Sequence, residues 1–356
     1  MNKKIITLFI ILIITIATPL FSQLKPSLRY QAMGEAGVAL ADTPSSFQIN
    51  PASLYVQDAP LFSFNMVAQE AIVDRSTLNA TDPIPTMQHP ITLIEFLFAS
   101  RYSALLVGFG FDLTDRAILG ESLTYTSYND SFIQLNVAYG FSAFSIGLYA
   151  RSGSRMKRPL ITIDKNSAIL DYIAQVYLNR YAPSNEGQLF NTGLGLLISY
   201  PFISLGLLTD SLFTLDEDTS ELVLDFTTLL QNTKVGLAFH SNEFDVNNEL
   251  NRFVFTSAFD ITHLLDDDLR SLHMGFELKL QLLKDLTIAL QTGYKENRGL
   301  PNTLFGFDWD GTTSYGLGAQ INSLFVDISL LVPTLWYTTS SPVEPITLLL
   351  SAHYQF

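Results

Sequence analysis

Cysteine is absent from all 356 residues, which excludes disulfides, thiolate metal sites and a lipid-modified N-terminal cysteine. Charge is scarce at 15% of residues, and positive charge is scarcest, with 20 Lys+Arg against 34 Asp+Glu. A surface of that sign repels nucleic acid and argues against a phosphate-binding role. Long hydrophobic runs are also missing from most of the chain, although the mean hydropathy is +0.24. One uncharged stretch of 23 residues, 187–209, has the length of a spanning helix. Pro201 interrupts it, and Gly193, Gly195 and Gly206 weaken it further. The remaining way to be this apolar without spanning helices is a closed barrel, whose lipid and lumen faces alternate residue by residue.

The N-terminus sets the expected compartment. Lys3 and Lys4 precede an uncharged run at 5–17, and small Ser22 stands before Gln23. This pattern reads as a secretory signal peptide over 1–22, because the run is shorter than the ~20 residues that span a bilayer. Its removal takes away Lys3 and Lys4, leaving 18 Lys+Arg against 34 Asp+Glu, about −16.

Period-2 alternation dominates the mature chain. Ile133, Leu135, Val137, Tyr139 and Phe141 oppose Gln134, Asn136, Ala138 and Gly140. Leu272, Met274, Phe276, Leu278 and Leu280 oppose His273, Gly275, Glu277, Lys279 and Gln281, and the patterns in 143–151 and 285–295 are similar. A soluble sandwich alternates too. Here, however, the polar faces are rich in Gly, Ser, Asn and Gln, and the segments match the ~9–11 residues of tilted spanning strands. Strands are expected at 61–68, 91–98, 103–113, 131–141, 143–151, 188–200, 202–209, 234–241, 252–260, 271–281, 285–295, 313–321, 324–332 and 346–356. Their connections alternate long and short, as external loops and periplasmic turns do in the outer membrane, with 242–251 the one long turn on the short side. The fold class is thus all-β: a transmembrane antiparallel barrel of about 14 strands over 61–356, in the cell outer membrane.

The segment 23–60 does not alternate. It carries Arg29-Tyr30-Gln31-Ala32-Met33-Gly34-Glu35-Ala36-Gly37, runs on to Asp42, and then reads Asn50-Pro51-Ala52. Gly34 and Gly37 permit turns that other residues resist, and Asn50 before Pro51 is biased out of helix. These motifs resemble the FadL-type long-chain fatty-acid transporter family of outer-membrane proteins. A second stretch, from Gly275-Phe276-Glu277 through Gly293-Tyr294-Lys295 to Tyr315-Gly316-Leu317-Gly318 and Asp327, resembles that superfamily's less characterised members, including the barrel shuttle proteins of type IX secretion. The resemblance covers the mature chain by architecture, but only 29–54 and about 271–330 by motif. It implies that 23–60 is a hatch inside the lumen, with Gly34, Gly37, Asn50, Pro51 and Ala52 at its centre. The residue-level alternative, a mere turn into the first strand, stays open.

The two longest external loops are 152–187 and 210–233. Ile169, Ile173, Val176, Tyr177 and Arg180 fall at helical spacing in the first, and Leu222, Phe226 and Leu229 in the second, although 221–229 also reads as a strand. In the family these loops form a greasy external groove, which makes Ile169, Ile173, Val176, Leu222 and Phe226 candidate ligand contacts. Arg158, in the basic cluster Arg155-Met156-Lys157-Arg158, is a candidate for a ligand's anionic head. Packing of these residues onto the barrel and a solvated loop start are the plain alternatives. No catalytic motif, metal set or cofactor site is recognisable. His273 and Glu277 do not form His-Glu-x-x-His, and Asp308-Trp309-Asp310-Gly311-Thr312 lacks the closing ligands of a calcium loop. The expected function is therefore non-enzymatic passage of small hydrophobic molecules such as fatty acids. The expected partners are those solutes, outer-membrane lipid and the barrel assembly machinery. A non-conducting barrel that serves a secretion or interaction complex is the second expectation, and a polar-solute porin the third.

The chain ends on Ile346, Leu348, Leu350, Ala352, Tyr354 and Phe356, one face closing on an aromatic, which resembles the assembly signal of bacterial barrels. Deleting Phe356, or replacing it with a charged residue, should cut membrane insertion while leaving export intact. Fractionation checks this, and normal insertion of the variant would make the terminal aromatic a coincidence.

Overall fold

The computed structural model describes residues 28–43, 46–56, 61–73, 91–119, 122–157, 161–164, 184–210, 212–215, 222–223, 229, 231–245, 252–264, 270–283, 285–296, 311–333 and 346–356. Its strands are β1 (Leu61–Val73), β2 (Ile91–Ala99), β3 (Ser103–Leu119), β4 (Ser122–Phe141), β5 (Phe144–Lys157), β6 (Ile161–Asp164), β7 (Ser184–Ser199), β8 (Ile203–Asp210), β9 (Thr214–Leu215), β10 (Leu222–Val223), β11 (Thr233–His240), β12 (Phe244–Asp245), β13 (Arg252–Thr262), β14 (Ser271–Leu283), β15 (Leu286–Glu296), β16 (Gly311–Ile321), β17 (Leu324–Pro333) and β18 (Ile346–Gln355).

Fourteen of these form one closed antiparallel barrel, each strand pairing with the next barrel strand in sequence. The ring closes where β1 meets β18, with Phe64 opposite Tyr354 and Met66 opposite Ala352. Closure matters because a lipid-exposed strand edge would leave a row of backbone groups unpaired, at several kcal/mol each. All fourteen stretches expected from alternation are strands of this ring. The uncharged stretch 187–209 is β7, a tight turn and β8, not a helix. Among the described residues no helix is long and apolar enough to cross a membrane.

Three loop expectations need correction. The stretch 114–130 is not a loop: β3 and β4 stay paired from Leu113 opposite Tyr128 to Leu119 opposite Ser122. Strands of 17 and 20 residues exceed the ~9–11 that span a bilayer, so this hairpin projects beyond it. Its Thr- and Tyr-rich run favours strand but has no lipid face to reveal it by apolar alternation. Second, Leu222 lies in β10, which pairs with β9 through Leu215, so at this residue the strand alternative holds and the helical spacing does not. Third, the expected connections 152–187 and 242–251 contain strands: β5 runs on to Lys157, β6 pairs with β4, β7 begins at Ser184, and β12 folds back on β13 with Phe244 opposite Phe253.

Burial follows the pleat. In β4, Val137, Tyr139 and Phe141 are exposed while Asn136, Ala138 and Gly140 are buried; in β8, Ile203 and Leu205 oppose Ser204 and Gly206. The outward face is apolar and the inward face small or polar, the reverse of a soluble barrel. Exposed Phe98, Tyr102, Phe141, Tyr200, Phe202 and Phe356 crowd the short-turn end, as aromatics do at a membrane interface. Ser142 and Asn322 carry positive φ (53° each) in two-residue turns that demand it. Phe356 is part of the closing seam: its N–H donates to the Phe62 carbonyl at 2.9 Å, and its ring lies 4.9 Å from that of Phe62 and 4.7 Å from that of Tyr354.

The mature protein in detergent should therefore be β-rich by circular dichroism and should migrate faster in an unheated gel than after boiling. A helix-dominated spectrum would refute the barrel.

Candidate functional site

The stretch before β1 folds as a short helix, α1 (Leu28–Ala32), and two 3-10 turns at Ser46–Gln48 and Pro51–Val56. Its apolar residues are buried, including Tyr30, Met33, Leu40, Phe47 and Leu54 at 0% exposure. Asn50 explains where the second turn begins. Its Oδ1 accepts from the Ala52 N–H at 3.1 Å, capping the turn that Pro51 starts without a donor of its own.

This segment packs against the inward face of the strands. The Ser314 hydroxyl donates to the Ala32 carbonyl at 2.8 Å and accepts from the Gly34 N–H at 3.1 Å. One oxygen of Asp260 accepts from the Gly37 and Val38 N–H groups at 2.6 and 2.9 Å. Asn50 Nδ2 donates to the carbonyls of Val38 and Leu196, and the Ser145 hydroxyl to that of Ala52. The β16, β13 and β5 walls thus satisfy backbone groups that this irregular segment cannot pair within itself, and β7 anchors the Asn50 side chain. His273 joins them: with Nδ1 3.0 Å from the Gly34 carbonyl, that nitrogen carries the proton, and Nε2 accepts from Ser271 at 2.9 Å.

Close approach of this kind requires wall positions without side chains. A Cβ at Gly147 would fall on the Pro51 carbonyl and the Ala52 amide, and one at Gly293 on the Met33–Gly34 peptide. Gly34 itself has φ +66, a conformation that L side chains rarely adopt.

Charges complete the contact. The Arg29 guanidinium bridges Asp42, at 2.9 and 2.7 Å, and Glu277, at 2.8 and 2.8 Å. Lys279 adds contacts of 3.4 Å to Asp42 and 3.2 Å to Glu277, and Lys295 pairs with Glu35 at 2.7 Å. Burial works against the charge on Arg29, but Asp42 and Glu277 outweigh it and raise its pKa well above the usual value. Burial likewise opposes ionisation of Asp42, yet Arg29 and Lys279 hold its carboxyl well below the ordinary carboxylate range. Tyr30 is pushed up to about 12, chiefly by burial, and stays a neutral donor to Ser46 at 2.6 Å. Such a buried network fixes register more than it adds net stability, and breaking it is costly because a charge is left unpaired.

The expected hatch residues Gly34, Gly37, Asn50, Pro51 and Ala52 all lie at these contacts. The sequence reading missed Arg29, Asp42, Glu277 and Asp260 as one system. Their signal was present: Glu277 and Lys279 are charges at lumen-facing strand positions, where an ionised group needs a partner. Of the candidate ligand contacts, Ile169, Ile173, Val176, Phe226 and Arg158 lie outside the described residues, and Leu222 is in β10. Among the described residues no cluster of His, Asp and Glu could hold a metal ion.

A second polar set stands further toward the long-loop end. Arg151 donates twice to Gln134, Tyr149 donates to Asp210 at 2.6 Å, and Lys234 pairs with Asp210 at 2.7 Å. On the short-turn side, a cavity of about 270 Å³ opens between the N-terminal segment and the inward faces of β1–β3 and β14–β18.

No family model matches the chain, and no curated relative does. Solved structures do. A CymD monoaromatic hydrocarbon channel aligns over 94% of this chain and 98% of its own, with 13% identity and a TM-score of 0.56. The toluene transporter TbuX of Ralstonia pickettii aligns over 92% and 97%, at 13% identity and 0.51, and the P. putida toluene transporter TodX over 92% and 98%, at 9% and 0.50. The fold is that of the FadL-type channels. At these identities the likeness concerns architecture, and the residue contacts above are read from this chain alone.

A depressed carboxyl contributes stability above its unfolded pKa of about 4, and loses it as pH falls toward the lower folded value. Docking of residues 28–43 should therefore be constant from pH 8 to about 5 and weaken below about 4. Above about pH 5, Asp42→Asn should weaken it by about 2 kcal/mol, because Arg29 keeps one of its two carboxylates, and the difference from the native chain should shrink as Asp42 itself is protonated in acid. Hydrogen exchange of 28–43 in the folded barrel measures both. Exchange that is indifferent to pH and to Asp42→Asn would remove the network's role.

Proposed function

We propose that the chain is an outer-membrane channel for small hydrophobic molecules, with 23–60 as a hatch in its lumen. The observation that carries this reading is the noncovalent seating of 28–56 on inward glycines, hydroxyls and charges. A segment held on the wall by hydrogen bonds and ion pairs, and tied covalently only through the chain that leads into β1, can shift without unfolding the barrel. The route we infer begins with capture at the external loops 152–187 and 210–233, where Ile169, Ile173, Val176, Leu222 and Phe226 offer apolar contact. Passage then requires the stretch around Asn50-Pro51-Ala52 to give way. No bond is made or broken, and the drive is transfer of apolar area between pockets followed by removal downstream. Monoaromatic hydrocarbons, named for similar channels, and long-chain fatty acids are the solutes to compare. Each methylene of an acyl chain contributes about 0.8 kcal/mol on burial, and Arg158 is available for a carboxylate.

Two measurements test this reading. In planar bilayers the intact protein should conduct poorly, and removal of 24–54 should give larger and more frequent openings. Equal, large conductance from both would favour a polar-solute porin. In detergent, a lipophilic probe should bind and be displaced by toluene or by fatty acids, the latter with potency rising with chain length. Ile173→Asp and Phe226→Asp should weaken that binding at least tenfold. If no hydrophobic solute binds and an envelope protein co-purifies stoichiometrically, the barrel is an interaction component.

A further inference from the structure

Among the described residues, three of the buried polar atoms without a hydrogen-bond partner, on Glu95, Gln291 and His353, line the short-turn-side cavity. Glu95 of β2 is 3% exposed; one of its oxygens accepts from Asn65 at 2.8 Å and the Gln48 side chain also interacts with the carboxylate, while Oε1 is left without a hydrogen bond. Gln291 of β15, 6% exposed, donates to Glu277 at 2.9 Å and leaves its Oε1 unpaired. Both residues line the cavity, as do Asp327 and His353, whose Nε2 is also unpaired. Arg29 and Lys279 reach the same space, but their charges are committed to Asp42 and Glu277. Glu95 and Asp327 are left without an ion-pair partner among the described residues. Asp327 has only a long contact, 3.5 Å, from the Ser351 hydroxyl. The excess in this space is therefore of acceptors and of negative charge. Leu28, Leu97, Leu106 and Phe325 supply the apolar part of the wall.

We propose that this cavity binds a small organic ammonium ion, its N–H donors on Glu95 and Gln291 and its apolar body against Leu97, Leu106 and Phe325. A buried acceptor without a donor costs about 1–3 kcal/mol, and an ammonium group supplies up to three donors and the missing charge together. A bare metal ion is a poor occupant, because no three of the described carboxylates and histidines converge to ligate one. An anion is disfavoured, since it would face Glu95, Asp327 and an amide oxygen. The volume lies just under the ~300 Å³ lower end of small-molecule pockets, which suits one ring or a short alkyl chain. The site lies across the N-terminal segment from the long loops and does not depend on hydrophobic transport being the protein's task.

The test is calorimetric titration of the mature, detergent-folded protein with three matched probes: 4-phenylbutylamine, 4-phenylbutanol and 4-phenylbutanoate. The amine should bind saturably, at least tenfold more tightly than the alcohol, and the carboxylate most weakly. Glu95→Gln and, separately, Asp327→Asn should each reduce amine affinity about tenfold while leaving alcohol affinity within twofold. Heat-modifiable migration of each variant confirms that its barrel has formed. Equal affinity for amine and alcohol, tighter binding of the carboxylate, no saturable amine binding, or amine affinity unmoved in both folded variants would each overturn the proposal. A protein that binds the amine but moves no hydrophobic solute would keep this site and lose the transport reading.

Discussion

The wall must be missing side chains where the N-terminal segment touches it. An irregular stretch of backbone can sit against a β-sheet only if its N–H and C=O groups find partners and the sheet lets it come near. Here both conditions are met by the inward face of the wall, with glycine at Gly147 and Gly293 and hydroxyl or carboxylate groups at Ser145, Ser314 and Asp260. The ion pairs of Arg29 and Glu35 add register to what the glycines permit. Remove the glycines and the charges would have no geometry to act in. This is why the small-residue composition of the inward face, rather than any motif, connects the fold to the proposed function.

A barrel wall has two separate constraints along every strand, and the chain satisfies them with alternate residues. The outward positions answer to lipid and carry Leu, Ile, Val and aromatics. The inward positions answer to the segment and to two polar sets, one near Arg151 and Asp210 and one around Arg29 and Glu277. The seam between β1 and β18 shows the two joined. Phe356 adds a backbone hydrogen bond to β1 at Phe62 while its ring extends the aromatic belt, so one terminal residue contributes to both closure and membrane fit.

The barrel was legible in the sequence because its signal is local. Strict alternation in 131–141 or 271–281 needs no knowledge of distant residues, and all fourteen stretches proved to be strands. Where no lipid face imposed alternation the reading failed, as at 114–130, which is a projecting hairpin, or stayed open between helix and strand, as at Leu222, which is in a strand. The small-residue motif from Gly34 to Ala52 lies in the segment that packs on the inward wall. What it contacts was not legible, because Arg29 meets Glu277 across 248 positions and Gly37 meets Asp260 across 223. Pairings at that separation follow from ring closure and register, which alternation alone does not encode. The unpaired oxygens of Glu95 and Gln291 belong to the same class: their residue types are visible in the sequence, and their lack of partners is a property of the closed lumen.

The central claim is that the N-terminal segment occupies the path and must move for a solute to pass. The native chain has no cysteine, so a double variant, Ala52→Cys with Ser145→Cys, offers a single pair to oxidise across the Ser145–Ala52 contact. Uptake of toluene and of a fatty acid into cells carrying this variant should be measured oxidised, reduced and re-oxidised. The account predicts that the cross-link forms, that uptake falls to the background of cells lacking the protein, and that reduction restores it. Failure of the pair to cross-link, or full uptake with the cross-link in place, would contradict it.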